Sequence, residues 1–85
     1  MSTPSPDDFE NMIDALLNDD IDASTALRAR LPERLAYRVW AVVPTDNGHR
    51  VILTDVHRKQ TWRIDFPAED WLSDVMLARI ALEAP

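Results

Sequence analysis

The spacing of apolar residues near the start of the chain predicts an amphipathic α-helix. Ser5, Pro6 and the two acids that follow are typical of a helix start, and Asn18-Asp19-Asp20 is typical of a helix end. Between them, apolar residues recur at intervals of three and four and so form one stripe along the helix: Phe9, Met12, Ile13, Leu16 and Leu17. The acids of the helix fall on the opposite side, where they form an acidic face.

A second, shorter helix and three strands follow in the pattern. Capping residues at positions 22–25 begin the helix, and Pro32 ends it at or before Leu31. Asn47 and Gly48 both tolerate positive φ, so they predict a two-residue type I′ turn between the first two strands. The strands are rich in β-branched and aromatic residues and are predicted over residues 35–43, 50–56 and 61–66.

The last helix is predicted from Pro67 to about Glu83, because proline and acids are favoured in a first helical turn. Its apolar residues wrap most of its circumference, which indicates burial on more than one side. The predicted fold class is therefore α+β: an N-terminal helix plus a short second helix, a three-stranded antiparallel β-meander and a C-terminal helix. We expect residues 1–5 to be a flexible N-terminal lead and residues 6–85 to be a single domain.

The predicted hairpin register sorts the strand residues into two faces. One is a core face on which Leu53 and Ile64 pack under Trp71, Val75 and Met76 of the last helix. It collects Trp40, Val42, Val51, Leu53, Trp62, Ile64 and Phe66. The second face mixes polar third-strand residues with apolar ones, so either the chain's own helices or another chain should cover it. Its apolar residues are Tyr37, Val39, Ala41, Val43, Ile52 and Val56.

The charges are unevenly distributed along the chain, whose formal net charge is −6. Residues 1–27 contain seven acids and no Lys or Arg, residues 28–63 contain eight bases against three acids, and residues 64–85 contain five acids against one base. One interpretation is that the central bases neutralise the acidic ends within the folded monomer. The other is that an acidic surface is presented to a basic partner.

Residue types that carry chemistry are sparse. The two histidines, His49 and His57, lie at opposite ends of one predicted strand, roughly 26 Å apart, which is too far for one metal site. Asp55 is predicted to lie opposite Trp62, with Arg38 as a possible ion-pair partner. The chain has no cysteine and a single glycine, which excludes a disulfide, a thiolate metal site and a glycine-rich phosphate loop. We predict no catalytic residue, metal or cofactor.

By elimination, the sequence favours a non-enzymatic protein-binding module in the cytoplasm. We expect a small acidic inhibitor of the kind that phages and mobile elements encode, which mimics nucleic acid and blocks a basic, nucleic-acid-binding surface on a larger protein machine. No stretch is apolar enough to span a membrane. The predicted contact residues are acids of the first and last helices: Asp7, Asp8, Glu10, Asp14, Asp19, Asp20, Glu69, Asp70 and Asp74.

Two alternatives stay open. The first is a self-associating structural or accessory subunit, such as a homodimer, or an antitoxin-like or immunity-like protein. It would use the apolar second sheet face, with Tyr37, Val39, Ile52 and Val56 at the interface. The second, more remote, is a nucleic-acid binder that uses the bases of the meander and its aromatic residues. An acidic chain with an isoelectric point near 4.6 has the opposite charge to that expected of such a binder.

Overall fold

The computed structural model describes residues 6–55, 57 and 60–84, so the predicted lead over residues 1–5 and the Ser5 cap lie outside the described residues. The predicted α+β fold class is confirmed, with an antiparallel sheet of order β1-β2-β3. The elements are α1 (Pro6–Asn18), α2 (Ile21–Arg30), α3 (Glu33–Ala36), β1 (Val39–Thr45), β2 (Gly48–Asp55), β3 (Gln60–Pro67), a 3₁₀ turn (Ala68–Asp70) and α4 (Asp74–Glu83).

The helical region before the sheet is longer than predicted. The second helix begins two residues before Ala23, because the Asp20 side chain accepts a hydrogen bond from the Ala23 amide at 3.1 Å and caps it. The prediction that the first strand starts at residue 35 is wrong. The Pro32 carbonyl accepts hydrogen bonds from the amides of Leu35 and Ala36, which forms the short helix α3 and buries Leu35 in the core.

The first hairpin turns one residue earlier than predicted. Thr45 pairs with Gly48, so Asp46 and Asn47 form the loop. Among the described residues only Leu72 has a positive φ, so the turn is not type I′. Gly48 is needed for a different reason: a Cβ there would meet the Phe66 carbonyl oxygen and lie 2.6 Å from the Ala68 amide nitrogen.

Both strand registers differ from the predicted ones by two residues. Val42 pairs with Val51 instead of Leu53, and Leu53 pairs with Trp62 instead of Ile64. Because side chains alternate with a period of two, a shift of two residues does not by itself move any residue to the other face. Asp55 is therefore opposite Gln60 and not Trp62, and its carboxylate accepts a hydrogen bond from the His57 amide at 3.0 Å.

A bulge in β1 moves one tryptophan to the other face. Val39 pairs with Leu53 and Ala41 with Ile52, so Trp40 is an extra residue in the ladder. Val39 joins the core face, whereas Trp40 packs with Ala41 on the second face. The prediction that Trp40 and Trp62 share a face is therefore wrong. The Arg28 guanidinium donates hydrogen bonds to the carbonyls of Val39 and Trp40 at 3.0–3.2 Å, which holds the bulged backbone.

The core lies between the first sheet face and the helices α2, α3 and α4. Its central strand contributes Val51 and Leu53, and Trp62 packs at its edge in a half-buried position. The buried residues of this cluster are Leu27, Leu31, Leu35, Val39, Val42, Val51, Leu53, Ile64, Phe66, Met76 and Ile80. This arrangement confirms Leu53, Ile64 and Met76 as core residues, but Val75 of α4 is exposed, contrary to prediction.

The last helix begins at Asp74 and not at Pro67. Residues after Pro67 form the 3₁₀ turn, and Leu72 then takes a φ of 60°. The helix starts where the Ser73 side chain accepts a hydrogen bond from the Met76 amide at 3.2 Å. Because α4 packs on the core through one side only, Leu82 is exposed on the other.

Candidate protein-binding surface

Helix α1 covers the second face of the sheet and reaches from one edge of the sheet to the other. Near its start, the Asp8 carboxylate accepts hydrogen bonds from the amide and hydroxyl of Thr61 on β3, each at 2.9 Å. Just beyond its end, the Asp19 carboxylate accepts a hydrogen bond from the Val42 amide on β1 at 2.9 Å. The second face is therefore covered by the chain's own helix, which was one of the two predicted possibilities.

The contact between α1 and the sheet is largely polar. Asn11 is only 2% exposed, and its side chain donates a hydrogen bond to the Thr61 hydroxyl at 2.9 Å. Arg63 on β3 lies 3.7 Å from the Glu10 carboxylate. Ala15 supplies the apolar part of the contact, in a small cluster with Ala41, Val43, Ile52 and the half-buried Trp40.

Arg50 on β2 links α1 to the sheet electrostatically. Its guanidinium lies 2.8 Å from the Asp65 carboxylate on β3 and 3.5 Å from the Asp14 carboxylate on α1. The hydrogen bond and charge of Arg50 hold the pKa of the Asp65 carboxyl below its ordinary value. The same hydrogen bond, with the charges of Asp65 and Asp14, raises the pKa of Arg50.

This ion pair gives a pH-dependent prediction. Because the pKa of Asp65 is lower in the folded state, the pair stabilises the fold above the ordinary aspartate pKa of about 3.9, and this stabilisation is lost as the pH falls through the folded value. Asp65→Asn should therefore lower the free energy of unfolding at pH 7 by less than about 1 kcal/mol, since the pair is partly exposed. In urea titrations the difference should shrink as the pH is lowered from about 5 through the acidic range, and a difference that does not change with pH would contradict the assignment.

The predicted acidic contact residues therefore divide into two groups. Asp8, Glu10, Asp14 and Asp19 contact the chain's own sheet, so they are not a free acidic face, whereas Asp20 caps α2 and remains exposed. Glu69 and Asp74 are exposed and Asp70 is half-buried. The side chain of Asp7 lies outside the described residues.

The apolar side of α1 is exposed to solvent instead. The prediction that the acidic side faces outward is reversed, because the polar side chains of α1 find partners in Thr61, Arg50 and Arg63. Leu16 is 69% and Leu17 76% exposed. We call this surface the outer stripe, and its residues are Phe9, Ile13, Leu16 and Leu17. Ile21, the first residue of α2, is exposed directly after it.

The polar third strand was the sequence signal for this orientation. Thr61, Arg63 and Asp65 fall on the second sheet face, which is unusually polar for a surface that a helix covers. A helix whose polar side packs inward matches such a face better than one whose apolar side does, because polar side chains of the helix then find partners on the strand. The helical period alone shows which residues share a side, not which side packs.

The other predicted sites are not assembled. Val39 and Ile52 of the alternative interface are buried, Tyr37 is exposed, and Val56 lies outside the described residues. Arg50 and Arg63 of the basic meander form ion pairs within the chain. Arg58 and Lys59, its other bases, also lie outside the described residues.

The histidines remain apart. The His49 ring stacks on the Trp71 ring with centroids 4.1 Å apart, and His57 lies in the turn after β2. Within the described ranges, no three His, Asp or Glu side chains are grouped so that they could hold a metal ion. Among the helices the structure describes, none is both long and apolar enough to cross a membrane.

Comparison with known proteins identifies no relative of this chain. No family model matches the chain, and no curated protein and no solved structure shows significant similarity to it. The outer stripe is thus identified from the structure of this chain alone.

Proposed function

We propose that this chain is a non-enzymatic protein-binding module whose contact surface is the outer stripe. The observation that supports this proposal is the exposure of four large apolar side chains along one side of α1. Contiguous apolar surface of this kind is uncommon on soluble monomers and marks sites of interaction. The stripe also has the spacing with which a helix binds a complementary apolar surface.

The energy available from this surface is substantial. Fully burying an aliphatic or aromatic side chain contributes about 1.5–3 kcal/mol. Four such side chains therefore offer several kcal/mol to a partner, less the cost of association. The rigid attachment of α1 to the sheet lowers that cost, because the helix is already formed before it binds.

The inhibitory role expected from the sequence is compatible with this proposal if the contact is mainly apolar and not acidic. A module anchored by an apolar stripe can block a nucleic-acid-binding surface on a larger protein by covering it. Asp20 and Asp22 are exposed just beyond the end of the stripe, so charge supplements apolar contact in this version and does not replace it.

Site-specific photo-crosslinking in the cells that encode the chain tests the proposal. A benzophenone amino acid at position 16 should give one discrete protein adduct, whereas the same group at position 82 should not. Leu82 is the matched control because it is an exposed leucine on α4, which covers the opposite sheet face. Leu17→Gln should reduce the position-16 adduct by at least about tenfold, the effect of losing roughly 1.4 kcal/mol of binding energy.

Circular dichroism of Leu17→Gln provides the control for folding, and its spectrum and melting temperature should match those of the natural chain. Equal adducts from both positions, or an adduct that Leu17→Gln leaves unchanged, would refute the stripe as the contact surface.

A further inference from the structure

We infer that the outer stripe binds an amphipathic helix of another protein whose apolar side is bordered by Lys or Arg. This inference rests on the proposed function and specifies the chemistry of its partner. It follows from the charges around the stripe and from the shape of α1.

The surroundings of the stripe are acidic, most of all where α1 ends. Residues 1–27 contain no Lys or Arg, and the last turn of α1 has no base to offset the negative end of its helix dipole. Asp20 and Asp22 are exposed immediately beyond that end. A partner that carries cations beside its apolar side chains would complement this charge.

Among the described residues, the arginines that form ion pairs with α1 are Arg50 and Arg63. Arg50 lies between Asp14 and Asp65, and Arg63 lies beside Glu10. These arginines therefore compensate charges on the side of α1 that faces the sheet. The acids beyond the end of the stripe are left for a partner to compensate.

The same charges disfavour a second copy of the chain as the occupant. If two α1 helices paired in parallel, their acidic ends would lie together. An antiparallel pair would likewise join two copies that each have a formal net charge of −6. Both arrangements bring like charges together, which costs binding energy and slows association.

The length of the stripe fits a helix as the occupant. The stripe extends from Phe9 to Leu17, so it is roughly 12 Å long along the helix axis, and Ile21 continues it. This length corresponds to two or three turns of a facing helix, which packs with its axis about 8–10 Å away. Because α1 is a convex ridge, side chains of the facing helix can interdigitate with those of the stripe.

Two synthetic helical peptides test the inference with the full chain. Both carry the same leucine side, and they differ only in flanking residues, Lys in one and Glu in the other. In fluorescence anisotropy at low salt, the Lys peptide should bind at least about tenfold more tightly than the Glu peptide, and raising the salt to 0.5 M should remove most of the difference. Leu16→Gln should abolish binding of the Lys peptide.

A charge variant localises the effect. Asp22→Asn should lower the affinity of the chain for the Lys peptide by about two- to fivefold, as expected for one exposed charge. Asp74→Asn on α4 should leave this affinity unchanged. Equal affinities for the two peptides, no binding of either up to millimolar concentration, or stripe-dependent dimerisation in sedimentation experiments would overturn the inference. The two peptide results leave the crosslinking test unaffected, and a dimer would give a position-16 adduct of twice the chain's mass, so the two proposals fail separately.

Discussion

Gly48→Ala is expected to destabilise the fold by about 3 kcal/mol, a large share of the stability of a domain of this size. A Cβ at this position would meet the Phe66 carbonyl oxygen and lie 2.6 Å from the Ala68 amide nitrogen and 2.7 Å from the Pro67 carbonyl carbon. These are backbone atoms, so they cannot rotate away as a side chain would. Moving them would strain the 2.9 Å hydrogen bond from the Ala68 amide to the Asn47 carbonyl.

Urea unfolding of Gly48→Ala and Asn47→Ala measures this effect. Asn47 is exposed in the same loop, and its backbone carbonyl is retained in the variant, so its substitution should change stability by less than about 0.5 kcal/mol. If Asn47→Ala were the more damaging of the two, the contact between Gly48 and the end of β3 would not be the constraint on this turn.

The second prediction compares the loss of stability when a buried and an exposed leucine are each replaced by alanine. Leu53→Ala should lower the free energy of unfolding by about 2–5 kcal/mol, because Leu53 is fully buried at the centre of the sheet and its loss leaves a cavity. Leu17→Ala removes the same atoms from a residue that is 76% exposed, so it should cost less than about 0.5 kcal/mol.

Thermal and urea denaturation of both variants compares the sites directly. A large loss of stability from Leu17→Ala would mean that the apolar side of α1 packs against the rest of the protein. That result would remove the basis of the outer stripe. A small loss from Leu53→Ala would contradict the assigned core.

The elements of the fold were predictable because their signals are local. The intervals from Phe9 to Leu17 define α1 whichever side packs, and the residue types of β2 and β3 define strands in any register. The two errors of register did not change the face to which a side chain was assigned, because each was a shift of two residues and the side-chain period of a strand is two.

The parts that were not predictable depend on contacts between distant segments. The bulge at Trp40 is held by Arg28 of α2, and a sequence pattern does not show which carbonyls an arginine will bind. Pro67 and the acids after it suit a 3₁₀ turn as well as an α-helix, so the true start at Ser73 was missed. The orientation of α1 depends on Thr61, Arg50 and Arg63, which lie far from it in the chain.

The side chains that hold the helices to the sheet also limit how the sheet can grow. On the outer edge of β1, the Val42 amide donates a hydrogen bond to the Asp19 carboxylate, and the Val42 carbonyl accepts one from the Asp20 amide. The Arg28 guanidinium donates hydrogen bonds to two carbonyls earlier in the strand. On the outer edge of β3, the Thr61 amide donates a hydrogen bond to the Asp8 carboxylate, and the Arg79 guanidinium donates one to the Asp65 carbonyl at 3.3 Å. An additional strand would have to displace these groups at either edge, so both edges resist fibril growth and strand exchange between copies. The chain can therefore expose apolar side chains on a helix with little risk that an encounter through them develops into an extended sheet.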